Sequence, residues 1–357
     1  MAILLLLATT FLIYIFVFLK YFKFPTGIEA NSELFDISVV IAAKNEAGTI
    51  ANLVNSLSKL DYPENRFEVI IIDDDSDDDT FHRVKSLIAD TNNFSVLRAL
   101  DKKYKGKRGA LQVGIEKSKY PYILITDADC SPQPGWIKAF NQKFNGGNDF
   151  VFGLAPFFMQ NNFVNKLACF ENLWTHILSF SLANTGLPYS AAARSFGFRE
   201  EAFYQIGGYR NTMETISGDD DLLLREAVKH KMKIGLVTDE DAKVFSYAKN
   251  NISEYLKQKS RHTSTSNYYL FKHKLLLGYW HLLNILFLFS PVLIIFNTFW
   301  SVLFLTKMLF DIFLIKIKMK KLNYSFGIFE ILYLQVIYDL MIIINYLLGS
   351  FVKSKWK

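Results

Sequence analysis

Apolar residues along this chain fall into two regimes. At the ends they run on without interruption, and in the middle they come as short runs separated by helical spacing. Residues 1–19 (MAILLLLATTFLIYIFVFL) carry no charged side chain and are closed by Lys20 and Lys23. About 20 apolar residues at about 1.5 Å each cross a bilayer core. The segment predicts a transmembrane anchor over 1–22, retained because a basic start and a small-residue cleavage site are both missing. Residues 275–306 are again uncharged, and the run continues to Ile315 across only Lys307 and Asp311. That length predicts two helices turning near Pro291 or Asn297, with Lys307 and Asp311 paired at i,i+4 spacing in the second. A last apolar segment over about 326–348, containing Glu330 and Asp339, predicts a third span or a helix lying in the interface. The C-terminal membrane region is thus expected over 275–350.

Between the ends, residues 36–270 read as an α/β domain. ISVVIA (37–42), FEVIII (67–72) and YILIT (122–126) are short, β-branched runs of the kind buried in parallel sheets. Ile50, Leu53, Val54 and Leu57 fall at helical spacing within 45–60, before a Tyr62-Pro63 stop, and 110–118 reads as a second helix. Strand, helix, strand, helix, strand predicts a right-handed, mostly parallel sheet that binds ligands beyond the carboxyl ends of its strands.

Composition sharpens this division. Hydrophobic residues make up 51% and charged residues 21%, below the quarter or so usual for soluble domains. Disorder is excluded, and two cysteines, Cys130 and Cys169, exclude a disulfide scaffold. The net charge is +6, but the lysines cluster beside apolar segments, which suits an anionic membrane surface and not nucleic acid. Lys20, Lys23 and the lysines of KIKMKK (316–321) place the middle of the chain in the cytoplasm.

Three acidic clusters and one basic loop are the candidate chemistry. DDDSDDD (73–79) directly follows the second strand. It can be a solvated turn, a Ca²⁺ loop or a ligand-binding strand end. The Ca²⁺ pattern is weak, because Asp78 and Val84 stand where an EF-hand has Gly and Glu. Asp127 and Asp129 follow the third strand, and alternation puts them on one side, where they can hold a divalent cation. Asp219, Asp220 and Asp221 precede an apolar run; they suffice to cap a helix, with an acid left over to act as a base. In KGKRGAL (105–111) the glycines let backbone approach a ligand and the cations suit a diphosphate at a helix start. No Cys/His spacing suggests zinc.

Taken in order, ISVVIAAKNEAGTI, IIIDDDSDDDT, KGKRGALQ, ITDADC, FGFREEAFYQIGGY, GDDDLLLREA and QKSRH resemble the membrane-bound branch of family 2 glycosyltransferases, which includes polysaccharide synthases and ceramide glucosyltransferases. The resemblance covers residues 37–265. It implies a GT-A nucleotide-sugar-binding fold and an inverting transfer from a nucleotide sugar, expected to be a UDP-sugar, to a lipid or lipid-linked acceptor. Residue by residue it implies Asp219 as catalytic base, with Asp220 as competitor because Gly218 stands where the family has Glu. Ala43, Asn45, Glu46, Asp73, Asp74, Lys107 and Asp127 are implied to bind donor. Asp129 is implied to bind Mg²⁺ or Mn²⁺, and Gln258, Arg261 and His262 to face acceptor or diphosphate. His262 replaces the family's Trp. The implied protein is an integral membrane enzyme with its catalytic domain in the cytoplasm. A processive polysaccharide synthase is the alternative within the class, and a nucleotide-sugar- or Ca²⁺-binding membrane adaptor the alternative outside it.

Overall fold

The structure is a computed structural model. It describes residues 33–215, 217–295 and 297–351, together with Thr9, Phe11, Leu12 and Phe18. The expected anchor over 1–22 lies outside the described residues apart from those four. The chain divides into two compact units, one built from 33–158 and 190–247, the other from 159–189 and 248–351 with the four N-terminal residues.

The first unit is built on a seven-stranded sheet. Strands β1 (Ile37–Ala43), β2 (Phe67–Asp73), β3 (Phe94–Arg98), β4 (Tyr122–Asp127), β6 (Phe150–Gly153), β7 (Phe196–Arg199) and β8 (Ile234–Val237) lie in the order β3-β2-β1-β4-β7-β6-β8. All pairings are parallel except the two made by β7. A small antiparallel pair, β5 (Cys130–Pro132) with β9 (Val244–Ser246), adjoins it in sequence. Every residue of β1 and β2 is buried, which is why these strands read as continuous apolar runs. Glu68, the polar exception inside β2, accepts from Ser38 Oγ at 2.7 Å and from the backbone N–H of Lys119 at 2.6 Å.

Helices α1 (Ile50–Leu57), α2 (Thr80–Leu87), α3 (Lys107–Lys117), α4 (Trp136–Asn145), α6 (Glu200–Gln205) and α7 (Asp221–Lys229) belong to the same unit. Helix α3 sits so close to the sheet that a Cβ on Gly114 would come within 2.3 Å of Val40 Cγ1. Helix α1 starts at Ile50, the first residue of its apolar series, and leaves 45–49 of the 45–60 segment outside the helix. Asn45 is held at φ 55°, and the N–H groups of Asn45, Glu46 and Ala47 donate to Ser76 Oγ, Thr80 Oγ1 and Asp78 Oδ2. That stitching leads into the helix, where the Ile50 N–H donates back to the Glu46 carbonyl at 2.9 Å.

The second unit is helical: α5 (Phe163–Asn184), α8 (Ile252–Thr265), α9 (Phe271–Phe289), α10 (Phe299–Lys318) and α11 (Ile328–Phe351). Helices α5 and α8, although inside the expected 36–270 domain, pack here. Phe170, Trp174 and Ile177 of α5 are buried, while Phe163 at its start is exposed. Trp174 Nε1 donates to Gln335 Oε1 at 3.0 Å, and Lys166 pairs with Glu330 at 2.7 Å. Phe271–Leu293 and Ile328–Asn345 are long and apolar enough to cross a membrane. Helix α10 is not one of these two, and within it Lys307 and Asp311 form the expected i,i+4 ion pair, both buried. Leu305, Leu309 and Phe313 of the same helix are exposed.

Candidate active site

Parallel pairing brings three strand ends together. Ala43 pairs with Asp73, and Ala42 with Asp127, so the acids after β2 and β4 flank the end of β1. Of the acids in 73–79, only Asp73 and Asp74 are buried; Asp75, Asp77, Asp78 and Asp79 are exposed. Asp78 serves the backbone, and the Thr80 hydroxyl bonded to it holds its carboxyl below the usual range. Asp77 N–H donates to Asn45 Oδ1 at 2.8 Å, and Thr49 Oγ1 donates to Glu46 Oε2 at 2.6 Å. Asn45 and Glu46 thus use their side chains to shape the loop above the strand ends.

Asp74 is ion-paired to Lys102, while the buried Asp73 Oδ1 has no hydrogen-bond partner. On the other side of β1, Lys107 opens helix α3 after Gly106, whose φ of 68° makes the turn. Its Nζ lies 2.7 Å from Asp127 Oδ1 and 2.7 Å from Asp219 Oδ2. Burial alone would push this ammonium down, but the two carboxylates hold it above the ordinary lysine range. Burial would likewise push Asp219 up; Lys107 and then Arg108 reverse that and hold it below the usual carboxylate range.

The neighbouring acids are occupied differently. Asp220 accepts from the N–H groups of Ala193 at 2.6 Å and Asp221 at 2.8 Å, and so caps α7. Burial, then Asp221 and Asp219, push its carboxyl up. Arg108, buried, donates to the carbonyls of Thr215 and Ser217, the latter at 2.7 Å, and so fastens the loop that carries Asp219. Arg225 binds the Asn211 carbonyl and the Glu214 carboxylate at 2.7 Å each, holding the same loop from α7.

Ligand atoms of Asp127, Asp129 and Cys130 lie within 4.8 Å of one another. Burial, with Asp129 and Asp127, pushes the Cys130 thiol well up, and its Sγ is 3.6 Å from Asp129 Oδ1. Asp127 and Asp129 offer hard carboxylate oxygens as a donor set. These fit Mg²⁺ or Mn²⁺.

Nine of the residues implied by the sequence, Ala43, Asn45, Glu46, Asp73, Asp74, Lys107, Asp127, Asp129 and Asp219, belong to this unit. Gln258, Arg261 and His262 lie on α8 of the helical unit, where Arg261 Nη2 approaches His262 Nε2 at 3.2 Å. Lys102 and Arg194 carry no signal in the sequence, and Arg108, one of the KGKRGAL cations expected to suit a diphosphate, is committed to the Thr215 and Ser217 carbonyls instead. Arg194 donates to the Ala155 carbonyl at 2.7 Å and to Ser246 Oγ, and lies 4.4 Å from the centre of the Phe157 ring. KGKRG flagged a basic loop, but only the fold says which cation meets which acid.

A mixed sheet of this order, with acids at the ends of β2 and β4, defines a GT-A-like α/β fold. The mannosyltransferase PcManGT from Pyrobaculum calidifontis, solved in complex with GDP-Man and Mn²⁺, shares that fold. The TM-score is 0.55 at 17% identity, covering 74% of this chain and 72% of that one. Residues 38–207 match the model of glycosyl transferase family 2. The beta-monoglucosyldiacylglycerol synthase of Trichormus variabilis is 30% identical over 213 residues, which are 55% of this chain and 42% of that protein. Glycosyltransferase AglE of Haloferax volcanii is 30% identical over 132 residues, 37% of this chain and 43% of that protein. The chain spans less than half the length of these curated relatives.

Proposed function

We propose that this protein moves a sugar from a nucleotide sugar, with UDP as the expected nucleotide, to the hydroxyl of a diacylglycerol-type lipid, with inversion at the anomeric carbon. The observation that carries the reading is the Lys107 bridge, which gathers Asp127 and Asp219 around one ammonium. The name of the Trichormus relative supplies the acceptor class. Polarity in the helical unit supports a membrane setting. Lys307, Asp311, Gln335 and Asp339 are buried while Leu305, Leu309, Phe313 and Phe329 are exposed, the reverse of a water-soluble bundle. The anchor over 1–22, the 36–270 transferase region and the 275–350 membrane region, with catalysis on the cytoplasmic face, complete the proposal.

In this mechanism Asp73 and Asp74 take the nucleoside, and Ala43, Asn45 and Glu46 line that end of the site. Asp129 holds the divalent ion and Asp127 faces the donor sugar. Bound Mg²⁺ or Mn²⁺ supplies Lewis-acid stabilisation of the leaving diphosphate. Asp219, oriented by Lys107, takes the proton of the acceptor hydroxyl as its oxygen attacks the anomeric carbon and the bond to the diphosphate breaks. Gln258, Arg261 and His262 serve the acceptor or the diphosphate.

The test is a donor screen in native-lipid membranes, followed by extraction of radiolabelled product into organic solvent. Label carried by a lipid bearing one or a few sugars is expected. Label recovered solely as a high-mass, lipid-free glycan refutes the lipid acceptor and favours a processive synthase.

A further inference from the structure

Asp73 and Asp74 stand side by side at the end of β2 and are treated unequally. Asp74, 1% exposed, is paired with Lys102. Asp73, 4% exposed, keeps one carboxylate oxygen without a donor. A buried carboxylate oxygen in that condition is costly unless something comes to bond it. Lys102 reaches Asp74 from a surface loop whose Leu100, Asp101, Lys103 and Lys105 are exposed. The loop is fixed at one end by the Ala99 N–H on the Asp73 carbonyl, 2.9 Å away, and at the other by Gly109, packed against the Tyr104 carbonyl.

The cations around the site differ in what holds them. Lys107 spans two carboxylates, Arg108 is committed to two carbonyls, and Lys44 donates to the carbonyls of Asp74 and Asp75. Only Lys102, among these four, sits on a carboxylate that a nucleoside's own donors can satisfy. A nucleoside diphosphate brings both halves of an exchange: N–H and hydroxyl donors for Asp74 and Asp73, and phosphate anions for a released ammonium on a flexible stem.

We propose that Lys102 is a displaceable placeholder, which neutralises Asp74 in the donor-free protein, gives it up to the nucleoside and moves onto the diphosphate. This rests on the donor-binding reading above. It assigns Lys102 a role in donor capture and makes nucleoside and phosphate recognition interdependent through a single side chain.

The experiment titrates the full chain in detergent micelles, with Mn²⁺ present, against uridine and UDP, and against guanosine and GDP. The proteins are wild type, Lys102→Met and Lys102→Arg. For the nucleotide that binds, Lys102→Met is expected to take the bare nucleoside about threefold or more tighter and the diphosphate about tenfold or more weaker. Lys102→Arg should track wild type on both. If Lys102 only props Asp74 in place, Lys102→Met weakens both ligands by a similar factor; that result, or unchanged affinities, overturns the proposal. Failure of wild type to bind either diphosphate would overturn the donor-binding reading itself, and this inference with it.

Discussion

Arg108 offers the sharpest test of how the site is assembled, because it touches the loop of the proposed base and is not itself assigned a chemical step. Its guanidinium donates to the carbonyls of Thr215 and Ser217 while almost fully buried. Arg108→Met keeps most of the side-chain volume and removes both bonds. Hydrogen bonds to a charged group are worth about 1.5–3 kcal/mol each, so about 3–6 kcal/mol of local restraint on the loop is lost before water takes up the carbonyls. The loop keeps its hold on Arg225, through Asn211 and Glu214, but loses the contacts nearest Asp219. A misplacement near 1 Å costs about 10² in rate, and turnover is expected to fall by about that much or more. Asp73 ends β2 and Asp74 follows it, whereas the Arg108 bonds go to the Thr215 and Ser217 carbonyls, so the affinity for the nucleoside diphosphate should stay within about threefold of wild type. Calorimetric titration and radiolabel transfer on the same preparation separate the two quantities, and thermal unfolding checks that the variant is folded. Arg108→Lys, whose single ammonium is a poor match for two carbonyls, should fall between. Turnover within threefold of wild type, or a loss expressed entirely as weakened nucleotide binding, would refute the clamp.

Three further outcomes are expected. Asp219→Asn should retain donor affinity and lose about 10²-fold or more in turnover, whereas Asp220→Asn should act through the α7 cap and lower the melting temperature; a dead but stable Asp220→Asn beside an active Asp219→Asn moves the base by one position. Asp129→Ala should abolish transfer, and EDTA should do the same to wild type, restored by Mn²⁺ or Mg²⁺; full activity in excess chelator falsifies the metal assignment. Gly109→Ala would place a Cβ 1.8 Å from the Tyr104 carbonyl oxygen, so the loop before α3 must move, and donor binding measured by titration should drop at least tenfold; unchanged binding would mean that the loop adjusts freely.

The legible parts of this chain were those whose cause is local. ISVVIA and FEVIII are buried on both faces, and their β-branched runs announced β1 and β2 to within a residue. Lys307 and Asp311 were placed in one helix by length alone and are paired there. Strand β3 alternates between half-buried and exposed residues and gives a weaker signal, and β7 reverses direction for reasons that lie in its neighbours β4 and β6. The acids at 73–79 look alike in sequence. What separates Asp73 and Asp74 from Asp78 is burial at the strand end against a backbone duty in the loop, and both come from contacts about 30 residues away. Lys102 was invisible for the same reason: a lysine in a lysine-rich stretch acquires its meaning from one distant carboxylate.

The Lys307–Asp311 pair bears on how the chain is made as well as how it rests. Both charges sit on one helix, four residues apart, so their mutual neutralisation travels with that helix. On the membrane reading, this neutralisation lies within α10 and is already in place before α11 is synthesised. Splitting the pair between two helices would tie insertion of the first to arrival of the second. On that reading the variants most harmful to yield should be those that remove one member of the pair and leave the other.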